Sequence, residues 1–159
     1  MNKRLYILVG PKGSGKTFIG SLVGKRTTIT FLRVEPIWLN IKDGEDGWTR
    51  VSEEICRQFE NTDEIIIETL GIGQGFKKFY SFLKEKYEIR LIRVNASVDK
   101  CLERVRTRDN AEHIPVSDDK VEKYNQIAVK VQMDWDAEID NDGPAEEETI
   151  IETIKGMSL

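Results

Sequence analysis

A glycine-rich run near the start of the chain has the residue types that bind a polyphosphate. Residues 10–17 read Gly-Pro-Lys-Gly-Ser-Gly-Lys-Thr and fit G-x-x-x-x-G-K-[ST], the P-loop pattern. Glycines let the backbone approach phosphates closely, so that successive N–H groups form a concave site for anions. Lys16 would bring its charge to the β- and γ-phosphates of ATP, and the Thr17 hydroxyl could bind Mg²⁺. We expect ATP to contact Gly10, Pro11, Lys12, Gly13, Ser14, Gly15, Lys16, Thr17 and Phe18.

Two glutamates, Glu35 and Glu68, each follow an apolar run that predicts a β-strand. Ligands of open α/β sheets bind at the carboxyl ends of the strands. Pro36 disfavours helix in the residue before it, so we expect Glu35 to be extended at the strand end. Glu35 is a candidate to orient or deprotonate an acceptor hydroxyl, and Glu68 is a candidate to hold Mg²⁺ through water or to contact substrate. The sequence leaves open which of the two is the base.

The elements that must position these residues alternate along the chain. Apolar runs predict strands over residues 4–9, 28–34, 64–68, 89–94 and 136–140. Helical spacing predicts helices over 16–26, 48–61, 76–86, 97–108, 117–131 and 145–155, with a short helix or turn at 37–41. This alternation is typical of an α/β protein with a parallel sheet between two helical layers. We therefore predict one domain over residues 1–159, a five-stranded parallel sheet flanked by helices, and a flexible loop over 68–75.

Composition excludes several classes of function. The chain has 159 residues and a net charge of −4, whereas a general nucleic-acid-binding surface is usually basic. No stretch approaches the roughly 18 apolar residues of a membrane span. Residues 1–4 run straight into the first strand, so we expect no signal peptide and a cytoplasmic location. The expected partners are small molecules, with the chain acting as a monomer or homodimer.

The chain resembles the P-loop kinases of the shikimate kinase, gluconate kinase and nucleoside monophosphate kinase group. Three features carry the resemblance: residues 10–17, the second strand ending at Glu35, and the basic run 101–108 followed by a polar loop. The resemblance covers essentially the whole chain. It implies a three-layer P-loop kinase fold with ATP and Mg²⁺ as cofactors and a small lid over about residues 107–117.

The resemblance also implies roles for residues outside the P-loop. Arg104 and Arg108 are four residues apart and share one helix face, so Arg104 could stack on adenine and Arg108 could clamp phosphates. Arg50 lies in the region where shikimate kinases bind substrate, and Gly71 lies in their substrate loop. The loop after the last strand would line the adenine pocket, mainly with backbone groups. The residues expected there are Asn141, Gly143 and Pro144.

Two departures from shikimate kinases bear on specificity. The Asp-x-Asp pair of those enzymes corresponds here to Arg33 and Glu35, and their Gly-Gly-Gly loop corresponds to residues 68–71, Glu-Thr-Leu-Gly. Shikimate specificity is therefore not implied. The leading interpretation is ATP- and Mg²⁺-dependent phosphoryl transfer to a small-molecule acceptor. The alternatives are a nucleoside or nucleotide kinase, and a nucleotide-binding regulatory ATPase without acceptor chemistry. We expect Trp38 and Trp135 to be packing residues.

Overall fold

Strands and helices alternate through the part of the chain that the computed structural model describes, residues 2–107 and 117–158. Most elements match the predicted ones to within a few residues. In chain order they are β1 (Arg4–Val9), α1 (Lys16–Arg26), β2 (Thr30–Phe31), α2 (Glu35–Leu39), α3 (Gly47–Gln58), β3 (Glu64–Thr69), α4 (Gly73–Lys86), β4 (Glu88–Asn95), α5 (Val98–Thr107), α6 (Asp118–Ala128), β5 (Ala137–Asp140) and α7 (Glu147–Gly156).

The five strands form one sheet in the order β2-β3-β1-β4-β5, and all neighbouring strands are parallel. The predicted fold class is therefore confirmed. β1 pairs with β3 on one side and with β4 on the other. The chain thus leaves β1 at the point where the strand order reverses, which is where doubly wound sheets bind ligands. This topology places residues 10–17 at that crevice.

Two apolar layers cover the faces of the sheet. Ile65 and Ile67 belong to one buried cluster, and Ile66 between them belongs to the other. Side chains of successive strand residues point to opposite faces, so this run is buried on both sides as predicted. A strand that is apolar on both faces is stable only when both faces are shielded from water, and helices on the two sides of the sheet shield this one.

The structure corrects two predicted boundaries near the crevice. β2 contains only two residues, and Glu35 is the first residue of α2 instead of an extended residue at a strand end. The expectation of an extended Glu35 is wrong because Pro36 lies in the first turn of α2, where its fixed φ and missing N–H suit a helix. The predicted loop over 68–75 is shorter, since α4 begins at Gly73.

No helix within residues 2–107 and 117–158 is long and apolar enough to cross a lipid bilayer. The predicted lid over about 107–117, including Arg108, lies outside the described residues apart from its two ends.

Candidate functional site

The P-loop has the backbone conformation that a phosphate site requires. Gly13 and Gly15 have φ values of +88° and +99°, which other residues rarely adopt. Gly15 also has little room for a side chain, because a Cβ there would lie 2.2 Å from the side-chain amide nitrogen of Asn141. α1 begins directly afterwards, at Lys16. Its N-terminal N–H groups therefore point toward the loop, where a phosphate would meet the positive end of the helix dipole.

Lys16 is buried and faces back into the loop. Its ammonium donates hydrogen bonds to the carbonyl oxygens of Gly10 at 2.6 Å and Pro11 at 2.7 Å. Burial lowers the pKa of Lys16 to about 8, and the charges of Glu68 and Glu35 oppose this shift. A buried cation held by neutral carbonyls is only partly compensated. The negative charge of a polyphosphate would complete that compensation.

Glu68 is a buried carboxylate beside the P-loop strand. It lies opposite Leu8 in the register of β1 and β3, and its side chain is only 3% exposed. Within the described residues neither carboxylate oxygen has a hydrogen-bond partner. The positive charges of Lys16 and Arg33, and then the nearby Val34 N–H, lower the pKa of Glu68, although that N–H does not reach hydrogen-bond geometry. Burial first, and then the charge of Glu35, raise the pKa of Glu68 to about 7.

A cavity of about 340 Å³ opens between the P-loop and the α2–α3 segment. Glu35 reaches across it and forms an ion pair with Lys12, 3.3 Å away. The cavity therefore joins the predicted phosphate site to both candidate acids. The predicted site residues in its wall are Lys12, Gly13, Gly15, Lys16, Thr17, Glu35, Glu68, Gly71 and Arg104.

Thr17 and Glu68 line this cavity together and offer the oxygen ligands that Mg²⁺ prefers. The two unpaired oxygens of Glu68 would accept hydrogen bonds from water bound to the metal. Among the described residues no group of three or more His, Cys, Asp or Glu side chains could hold a metal ion. Mg²⁺ in phosphoryl-transfer sites keeps several waters and substrate phosphates as ligands, so one hydroxyl and one carboxylate fit it.

Arg104 and Asn141 join the P-loop to the loop after β5. The Arg104 guanidinium donates to the carbonyls of Gly13 at 3.3 Å, Ser14 at 3.4 Å, Asn141 at 2.6 Å and Asp142 at 3.2 Å. The Asn141 side chain donates to the Ser14 carbonyl at 2.8 Å. These contacts fix the two loops relative to each other.

The structure does not bring every predicted residue to the cavity. Arg50, a predicted substrate residue, is exposed and ion-paired with Glu45 at 3.5 Å and Glu53 at 3.9 Å. Phe18 is 55% exposed and does not line the cavity wall. The helix phase explains both positions, since the buried residues of each helix turn toward the sheet.

The remaining predicted nucleotide residues lie around the edge of the P-loop. Gly143 and Pro144 are exposed on the loop after β5. Gly10 and Pro11 line a second cavity of about 520 Å³, on the β4–β5 side. Ser14 is fully buried. Arg108 lies outside the described residues.

Sequence reasoning missed one residue that holds the P-loop. Asn125 on α6 is fully buried, and its side-chain amide both accepts from the Lys12 N–H and donates to the Lys12 carbonyl, each at 2.8 Å. The available signal was an asparagine on the apolar face of α6, between Val121 and Ala128. A buried amide needs partners, and here the P-loop backbone provides them.

Two tryptophans, Trp38 and Trp48, lie in the cavity wall. Trp38 was expected to be a packing residue, and it does pack against one apolar cluster of the core. Its place in the cavity wall was not predicted. Both side chains are partly buried. Trp38 lies three residues after Glu35, one turn along the same helix. This spacing could have indicated that the two side chains line the same cavity.

None of the known protein-family models matches the chain. No curated protein sequence matches it either.

Solved structures share its fold. A shikimate kinase from Acinetobacter baumannii, in complex with shikimate, has a TM-score of 0.63 and 20% identity, covering 100% of this chain and 96% of that chain. A tunicamycin resistance protein from Deinococcus radiodurans has a TM-score of 0.70 and 14% identity, with 99% and 96% covered. A gluconokinase from Sinorhizobium meliloti 1021 has a TM-score of 0.62 and 13% identity, with 96% and 90% covered.

The chain therefore has the fold of the P-loop kinases, over nearly its whole length. The resemblance drawn from the motifs is confirmed at the level of the fold.

Proposed function

We propose that this protein is an ATP- and Mg²⁺-dependent kinase that phosphorylates a hydroxyl group of a small molecule. One observation carries the proposal: a single cavity contains the P-loop groups Lys16 and Thr17 together with two carboxylates and open space beyond them. A nucleotide-binding module without an acceptor has no need of that space. The kinase names of the structural neighbours support the proposed class of reaction.

The proposed reaction is transfer of the γ-phosphoryl group of ATP to the acceptor hydroxyl. The acceptor oxygen forms a bond to the γ-phosphorus, the bond from that phosphorus to the β–γ bridging oxygen breaks, and ADP leaves. Lys16 neutralises charge that develops on the phosphoryl oxygens. Thr17, and Glu68 through water, would hold Mg²⁺, which would supply further neutralisation of the phosphoryl charge.

We propose that Glu35 takes the proton of the acceptor hydroxyl. Glu35 lies on α2 with its side chain 20% exposed, whereas Glu68 is buried next to the P-loop strand. Lys12 keeps the Glu35 carboxylate in the cavity, and a carboxylate within reach of the acceptor hydroxyl can orient it and take its proton. Glu68, whose two carboxylate oxygens have no hydrogen-bond partner among the described residues, would instead accept hydrogen bonds from water bound to Mg²⁺.

The test is ATP-to-ADP turnover with Mg²⁺ across a panel of hydroxyl-bearing acceptors. Lys16→Ala is expected to lose both nucleotide binding and turnover. Lys155→Ala, a change of an exposed lysine on α7, is the matched control and should retain both. ATP consumption that is as fast without any acceptor as with the best one would contradict the proposal and indicate an ATPase.

Two further variants separate the carboxylate roles. Glu35→Gln should lower kcat without changing the Mg²⁺ concentration that gives half-maximal rate. Glu68→Gln should raise that Mg²⁺ concentration by about tenfold or more, the usual loss when an outer ligand of a metal is removed. The reverse pattern would exchange the two assignments.

A further inference from the structure

We propose that the acceptor carries a planar, mainly apolar ring that packs against Trp38 and Trp48 while its hydroxyl is presented to Glu35. This inference rests on the proposed kinase function and names the class of its acceptor. It concerns the part of the cavity formed by α2, α3 and the loop after β3, which we call the acceptor wall. Its lining residues are Val34, Glu35, Trp38, Trp48, Leu70, Gly71 and Ile72.

The chemistry of the acceptor wall is apolar. Its side chains are two tryptophans and three aliphatic residues, with Glu35 at the edge. Sugar acids would bring several hydroxyls and a carboxylate against this surface. Burying such groups without partners costs free energy, whereas an aromatic ring gains both buried area and favourable ring contacts there.

The described cations of the cavity come from the P-loop and α5, and each of them has partners. Lys12 pairs with Glu35, and Lys16 donates to two P-loop carbonyls. Arg104 donates to carbonyls of the P-loop and of the loop after β5. Among residues 2–107 and 117–158, the acceptor wall itself contains no lysine or arginine. Arg50, predicted from the sequence as a substrate residue, is exposed and ion-paired with two carboxylates.

The two tryptophans of the acceptor wall are held in place by contacts with each other and with other aromatic rings. Trp48 lies 4.7 Å from Phe79 and 5.9 Å from Phe76, between ring centroids. Trp38 meets Trp48 edge-on, with centroids 5.3 Å apart and planes at 84°. Rings fixed in this way lose little freedom when a ligand binds, and such preorganisation favours affinity.

Gly47 makes room for this arrangement. A Cβ at that position would lie 2.3 Å from the ring of Trp38, so any side chain would displace the indole from its place. The glycine is buried at the start of α3. The local structure therefore keeps Trp38 in the cavity wall, where it contributes surface for a ligand.

The experiment measures binding of ring probes by tryptophan fluorescence and by ligand-observed NMR. The chain has three tryptophans, and Trp135 lines the other cavity. In Trp135→Phe the signal comes only from Trp38 and Trp48. The ring probes are 2-phenylethanol, adenosine and thymidine, and the comparison probes are gluconate, shikimate and glycerol, all tested with ADP and Mg²⁺ present.

We expect ring probes to change the fluorescence and to bind at least tenfold more tightly than the comparison probes. Trp38→Leu should weaken binding about tenfold, a loss of about 1.4 kcal/mol. Trp38→Phe, which keeps a ring, should restore most of it, and Trp135→Phe should bind like the unmodified protein. Thermal unfolding of each variant shows whether it is folded. In turnover with a ring acceptor, Trp38→Leu should raise KM more than it lowers kcat.

Two results would overturn this inference while leaving the kinase proposal intact. One is turnover stimulated by gluconate or shikimate more strongly than by any ring probe. The other is binding of ring probes that is absent, or unchanged in Trp38→Leu, while Lys16-dependent ATP binding persists. Failure of the kinase proposal has a different signature, namely ATP consumption that no acceptor changes.

Discussion

The buried carboxylate of Glu68 should make the protein less stable as pH rises, and Glu68→Gln should remove that effect. Its pKa of about 7 lies above the ordinary 4.5, because burial disfavours the charged form. The folded state therefore holds the proton more tightly than the unfolded state. The resulting penalty is absent below about pH 4.5, grows as pH rises, and is complete above about pH 7.

The size of the penalty follows from the same shift. A pKa raised from 4.5 to about 7 corresponds to about 3 kcal/mol at 1.36 kcal/mol per pKa unit. Relaxation of the protein and entry of water around the charged carboxylate offset part of this penalty. Glutamine has nearly the same shape and no charge, so Glu68→Gln should raise the free energy of unfolding by about 1 to 3 kcal/mol above pH 7 and change it little near pH 5.

The assay is urea unfolding, followed by tryptophan fluorescence between about pH 5 and pH 8, with EDTA present. The quantity to compare is the difference in unfolding free energy between Glu68→Gln and the unmodified protein at each pH, because the titrating groups that do not interact with Glu68 cancel in it. Glu152→Gln, on the exposed face of α7, is the control and should show no pH-dependent difference. A difference for Glu68→Gln that does not vary with pH would refute the reasoning, since it would mean that the carboxylate is ionised throughout at no cost.

Three further outcomes follow from the contacts. Asn141→Ala removes the hydrogen bond to the Ser14 carbonyl and should lower the free energy of unfolding by about 1 to 3 kcal/mol, measured by urea unfolding. Arg104→Lys cannot reproduce the fork that contacts four carbonyls and should weaken ATP binding about tenfold by calorimetry; equal affinity would contradict its role. Tyr6→Phe removes the hydroxyl that donates to Glu64 at 2.5 Å and should cost about 1 kcal/mol in thermal unfolding, whereas the exposed Tyr124→Phe should cost nothing.

The fold could be predicted because its signals are local. The run at 65–67 is apolar without alternation, which is typical of a strand that is covered on both faces. Gly13 and Gly15 lie in a motif whose spacing alone defines a turn and a helix start. Such signals depend on neighbours in the sequence and do not require knowledge of the tertiary structure.

The parts of the site that could not be predicted depend on backbone groups brought together by the topology. Arg104 lines the cavity, and its described partners are carbonyls from two loops distant in the sequence. Asn125 likewise contacts the backbone of Lys12, which is 113 residues away. An asparagine on the apolar face of α6 indicates a buried polar contact, but the sequence pattern does not identify the backbone groups that these two side chains contact. The local effect of Pro36 was misjudged because two opposing preferences meet there, and helix initiation prevailed over the bias toward extended structure in the preceding residue.

If the proposed function holds, the ion pair between Lys12 and Glu35 would couple the binding of nucleotide to the binding of acceptor. Phosphates that enter the P-loop would attract the Lys12 ammonium and weaken its hold on Glu35, leaving that carboxylate a stronger base for an incoming hydroxyl. Nucleotide would then raise the affinity for acceptor, and by thermodynamic linkage the acceptor would raise the affinity for nucleotide by the same factor. Binding of each ligand, measured with and without the other, should give one common coupling factor greater than one.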